Sequence, residues 1–170
     1  MLAKRLDVPH VSTGELLRRS MVNDGDPYGV GDTVASGELV AEEVIEKLLL
    51  PELGERFLLD GFPRSREQAD RLDRLLEERG RPIEAAVELV LSDEILAARM
   101  ALRAYLEHRT DDRPEVFLRR LHEYNADIGA LRDHYRGLLV SVDGEGEEED
   151  ILERILTALH GARGPAKGSS

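Results

Sequence analysis

Asp60-Gly61-Phe62-Pro63-Arg64, with Gln68 four residues further on, gathers an acid, a glycine, an arginine and an amide into one short stretch. The planar fork of an arginine suits bidentate binding of a phosphate or a carboxylate. Asp60 could hold Mg²⁺, directly or through water. Pro63 fixes its own φ and biases Phe62 toward extended backbone, so the chain turns in one definable way. Read as chemistry, this is one half of a phosphoryl-transfer site. The same residues also read as a strand-to-helix turn with a surface ion pair, and Ser65-x-x-Gln68 as a capping box opening the next helix. Residues elsewhere in the chain decide between the two.

The elements around the stretch follow from hydrophobic periodicity. Phe57-Leu58-Leu59 is a short apolar run, read as a buried strand, which places Asp60 and Arg64 at a strand's carboxyl end, where open α/β sheets bind ligands. Residues 1–6 read as the tail of a helix and 7–11 as an edge strand, with Pro9 against a central place. Ser12-Thr13-Gly14-Glu15 has capping-box spacing before Leu16-Leu17-Arg18-Arg19. Residues 23–32 are rich in turn formers, and 36–40 turn into a helix over 41–50. A charged amphipathic helix follows over 65–79, then 85–91, an apolar run expected to be a strand buried on both faces. A helix over 93–105 and a long helical face through Phe117, Leu121, Tyr124, Ile128, Leu131 and Tyr135 come next. A strand over 138–142 and a helix over 150–160 close the pattern. Strands alternating with helices predict an α/β domain with a parallel sheet.

Composition bounds the function. A chain of 170 residues with 41% hydrophobic and 34% charged residues is expected to be one soluble globular domain, here 1–160, with 161–170 a disordered tail. The N-terminus has no signal-peptide pattern and no apolar stretch is long enough to span a bilayer. The lack of cysteine excludes thiolate metal sites and fits a cytoplasmic protein. A net charge of -12 argues against nucleic-acid or anionic-membrane partners, so any anion site must concentrate its arginines locally.

In order and spacing, these pieces resemble the bacterial adenylate kinases with a short lid. Residues 12–18, Ser-Thr-Gly-Glu-Leu-Leu-Arg, resemble that family's first AMP-binding segment; Gly37-Glu38-Leu39-Val40 resembles the segment whose backbone holds adenine and ribose. Asp60–Arg64 with Gln68 resembles its Asp-Gly-Phe-Pro-Arg motif and adenine-reading glutamine. Arg99 and Arg103 match two arginines before the lid, and Arg109-x-Asp111-Asp112 with Arg120 those after it. The resemblance implies a P-loop-kinase-like parallel sheet flanked by helices, and a nucleoside monophosphate kinase converting ATP and AMP to two ADP with Mg²⁺. It implies an AMP-binding part over about 12–41 and a lid over about 103–109. By it, Arg18 and Arg64 hold the AMP phosphate, and Thr13 and Gln68 read the base. Glu38, Leu39, Val40, Gly61, Phe62 and Pro63 line the AMP site. Arg103, Arg109 and Arg120 close over the phosphates, with Arg109 and Arg120 also reaching AMP. Arg99 and Gly146 lie at the ATP adenine, and Asp60 serves Mg²⁺. A monomer without zinc is implied, although Leu102 and Ala104 flank Arg103 where the family usually has a glycine.

The family's opening strand and Gly-x-x-x-x-Gly-Lys loop have no counterpart in this sequence. The expectation is a start placed too far downstream and little activity for the chain as given. The alternatives are an AMP-binding module without phosphoryl transfer, and a related kinase for another nucleoside monophosphate.

Overall fold

The computed structural model describes residues 1–23, 25–36, 40–107 and 127–162. Its elements run α1 (Leu2–Leu6), β1 (His10–Ser12), α2 (Thr13–Asn23), α3 (Gly31–Ser36), α4 (Glu42–Leu49), β2 (Leu58–Asp60), α5 (Arg66–Glu77), β3 (Ala86–Val90) and α6 (Asp93–Glu107). A helical stretch over 127–134, here α7, precedes β4 (Leu139–Asp143) and α8 (Glu148–Ala162). Strands and helices alternate as their periodicities predict. The upstream part of the long helical face, with Phe117, Leu121 and Tyr124, lies outside the described residues, as do residues 163–170 of the tail.

The strands pair in parallel, β1 with β2 and β3 with β4, and the two pairs are not hydrogen-bonded to each other. Among the described strands the split falls between β2 and β3. In the first pair Ser12 lies opposite Asp60, so both strands end level and deliver Thr13 and Gly61 side by side. In the second, Val90 lies opposite Asp143, and the Gly144 amide donates to the Val90 carbonyl at 2.9 Å.

Three apolar clusters hold these elements. Val11, Leu16, Leu49, Leu53, Leu72 and Leu76 form one beneath β1 and β2. Leu17, Val30, Val40 and Ile45 form a second among α2, α3 and α4. Val142, Ile151 and Ile155 form a third, with Leu2, Val87 and Val140 packed against it. Leu72 and Leu76, almost wholly buried, stand four apart on α5, the spacing that sets two side chains on one helical face.

Two expectations need correction. The run 85–91 is not buried on both faces: Leu89 and Val90 are 44% and 47% exposed, while Glu88 is the buried member at 9%. One edge of β3 is covered by β4, but among the described residues nothing covers the Leu89 and Val90 side chains, and the acid points inward because a cation meets it there. Residues 31–36, which overlap the turn-rich stretch at 31–32 and the following turn at 36, form α3. Asp26 accepts the Val30 and Gly31 amides at 2.9 Å each, satisfying two donors at that helix start. No described helix is long and apolar enough to cross a membrane.

Candidate functional site

Thr13 and Gly61 meet where the first strand pair ends. The Thr13 hydroxyl donates to the Asp60 carbonyl at 3.3 Å, and the residue is 4% exposed. Gly61 has φ +82, and a Cβ there would lie 2.8 Å from the Thr13 Oγ1. Only glycine satisfies both the backbone conformation and that approach. Arg64 turns back over the same point, its Nε donating to the Gly61 carbonyl at 2.9 Å. Its fork is thereby oriented at the strand ends.

Gln68 proves to be part of the architecture as well as a candidate reader. The Ser65 Oγ accepts the Gln68 amide at 3.3 Å, one arm of the capping box. The other arm is displaced by one residue: Gln68 Oε1 accepts from the Arg64 N–H at 2.8 Å rather than from Ser65. The amide is 4% exposed, and with its oxygen engaged it has its NH₂ end to offer. Hydrogen bonds from Thr13, Arg64 and Gln68 therefore fix one turn. Arg18 folds back over Gly14, where a Cβ would meet its Nη1 at 3.3 Å. Phe62 packs against both the first and the second apolar cluster, and Val40 is buried in the second, so these two side chains serve the core. The Phe62–Pro63 peptide is cis.

Asp60 sits at the rim, its side chain exposed, with Oδ2 3.5 Å from His10 Nε2. A lone exposed carboxylate fits Mg²⁺, which keeps several waters and draws its remaining ligands from substrate phosphates. Among the described residues no three His, Asp or Glu side chains converge as a metal cage.

The second strand pair ends in another preorganised turn. The Glu145 amide donates to Asp143 Oδ1 at 2.9 Å, and Gly146 takes φ +108. Arg99, from α6, donates to the Gly146 carbonyl at 3.2 Å, which brings together the two residues expected at one nucleotide base. Arg154, from α8, donates to the Asp143 carbonyl and, at 2.6 Å, to the Glu145 carbonyl. Two guanidinium groups thus hold three carbonyls of one turn. The backbone of α6 carries Arg103 one turn beyond Arg99. Glu38, Leu39, Arg109 and Arg120 lie outside the described residues.

Sequence reading missed Arg154, which lies among ordinary helix residues and gives no signal. It also missed Glu88 and Arg132, for which a signal existed: an acid inside an apolar strand run needs a cation or a hydrogen-bond network once buried.

The family model described as adenylate kinase matches residues 1–139. The chain is 40% identical over 167 residues to adenylate kinases of Xanthomonas euvesicatoria pv. vesicatoria and Xanthomonas axonopodis pv. citri, covering 93% of this chain and 89% of each relative. It is 37% identical over 166 residues to the adenylate kinase of Stenotrophomonas maltophilia, with the same coverage.

Proposed function

This chain belongs to the adenylate kinase family, a phosphotransferase family acting on nucleoside monophosphates, and from that premise we propose that it transfers a phosphoryl group from ATP to AMP. An AMP phosphate oxygen attacks the γ-phosphorus, the bond from that phosphorus to the β-bridging oxygen breaks, and two ADP result. Bringing two polyanions together makes catalysis largely a matter of positioning and of cations placed where charge is shared.

In this reading AMP lies across the ends of β1 and β2. Arg18 and Arg64 take its phosphate, and the backbone over 38–40 and 61–63 lines the base and ribose. Thr13 and the Gln68 NH₂ face the adenine edge. ATP lies at the ends of β3 and β4, with Arg99 against the base and the Gly146 carbonyl at its rim. Arg103, Arg109 and Arg120 close over the transferred group. Asp60 would hold Mg²⁺ through water, and the ion would draw charge from the phosphate oxygens. Residues 1–160 act as one domain, with an AMP-binding part over about 12–41 and a short lid over 103–109. The enzyme works as a cytoplasmic monomer without zinc.

The observation that carries this reading is the meeting of Thr13, Gly61, Arg64 and Gln68 at the level ends of β1 and β2. Coupled ADP formation from ATP with AMP, CMP or UMP tests it, beside a direct AMP titration. Preference for AMP over the pyrimidine nucleotides is expected, and no AMP binding in the titration would defeat the acceptor assignment. The second reading, an AMP-binding module, rests on an acceptor turn formed by its own hydrogen bonds. AMP binding without ADP formation would select it.

A further inference from the structure

The turn after β4 is held by side chains and by close packing together. The Glu145 amide donates to Asp143 Oδ1 at 2.9 Å. Arg154 donates to the Asp143 carbonyl and, at 2.6 Å, to the Glu145 carbonyl, and its Nη1 lies 3.5 Å from Asp143 Oδ2. It reaches back to the turn because α8 begins at Glu148 and long helical side chains lean toward the helix N-terminus. A Cβ on Gly146 would lie 3.1 Å from Arg154 Nη2, and one on Gly144 would lie 3.1 Å from Leu91 Cγ. The guanidinium therefore rests against the Gly146 backbone as well as on two carbonyls.

The chemistry of the turn suits an uncharged base with an amino group. Glu145, Glu147, Glu148, Glu149 and Asp150 are all exposed around it. These acids repel a triphosphate and leave the base as the part of a nucleotide that the turn can hold. A carbonyl oxygen carries two lone pairs, and Arg99 occupies one on Gly146 at 3.2 Å. The second suits an N–H donor. Adenine presents its N6 amino group where guanine presents the O6 oxygen, so guanine in the same pose sets one acceptor against another. That contrast holds only while the carbonyl keeps one direction.

We propose that Arg154 is a positioning residue for the donor nucleotide. By fixing the turn on which Gly146 stands, it keeps the Gly146 carbonyl aimed to accept from adenine and to turn guanine away. The proposal rests on the donor placement above. Arg154 acts through the turn, not on the nucleotide.

Titrations of the ¹⁵N-labelled full chain with ATP, GTP and AMP, followed at the backbone amide signals, test it. In the parent, ATP should shift the signals of residues 144–147, with GTP about tenfold weaker. In Arg154→Met, ATP affinity should fall about tenfold and the ratio of ATP to GTP affinity should approach one. AMP affinity should stay within about twofold, because the acceptor turn is built from other side chains. Arg154→Lys keeps the charge and loses the fork that spans two carbonyls, so it should behave like the Met variant. Lysine that restores both affinity and ratio would mean that charge alone acts, and would overturn the proposal. A role in stability alone would lower the melting temperature and leave the ratio unchanged, which overturns it equally. Should Arg154→Met fail to fold, Arg154→Lys decides. A parent in which ATP leaves residues 144–147 unmoved defeats the donor placement and this proposal with it. A preference for ATP that survives in both variants defeats this proposal alone.

Discussion

Gln68 carries two duties that can be separated. It helps cap α5 and ties down the Arg64 amide, and in the proposed function it also reads the acceptor base. Ser65→Ala removes the other half of the cap and should cost about 1 kcal/mol in chemical denaturation, with AMP affinity unchanged. Gln68→Ala should cost a similar amount and also abolish the preference for AMP over CMP in a competition titration. Equal losses of binding in both variants would mean that the turn, not the amide, recognises the nucleotide. Tyr135 gives a second test at this scale. Burial first, then the neighbouring Asp73 charge and hydrogen bond, and last Asp70, push its phenol well above the ordinary tyrosine value. A raised folded value means that Tyr135 contributes stability below about pH 10 and loses it as pH rises through the folded value. Of the four tyrosines, this one should resist ionisation in ultraviolet titration at about pH 11 until the protein unfolds. Tyr135→Phe should remove the late step and flatten the alkaline loss of stability.

Among the elements, the parallel pairs with level ends do most to form the candidate site; β2 and β4 were legible as short apolar runs before Asp60 and Asp143, while the pairing and its level ends were not, and β1 lies over His10–Ser12 rather than 7–11. The helices were legible from their periodicity and from Ser65. Helix α3 was not, because its start is capped by Asp26 across a turn of glycines and a proline, which sequence patterns register only as a loop. The exposure of Leu89 and Val90 was hidden for a different reason: apolar content predicts burial only when something covers the strand. Arg154 belongs to this scale too, since α8 uses it to hold the turn after β4. Arg154→Met keeps the apolar stem and loses the hydrogen bonds to Asp143 and Glu145. Amide exchange across residues 144–147 should then quicken by about tenfold, with the middle of α8 unaffected. No change there would mean that Arg99 and the Asp143 side chain suffice to hold the turn.

At the scale of the molecule, the described strand pairs pack against separate apolar clusters, and the turn at the end of α7 contacts β3 through Arg132 and α5 through His134 and Tyr135. The exposure of Leu89 and Val90 among the described residues also bears on how the protein behaves in a tube. Exposed apolar side chains favour contact with a second molecule, and a net charge of -12 pushes such molecules apart. Colloidal behaviour should therefore be set by salt. At about 0.01 M ionic strength the repulsion reaches about 30 Å and particles stay single; near 1 M it reaches about 3 Å and they cluster. Light scattering should record that transition, and Leu89→Lys should abolish it.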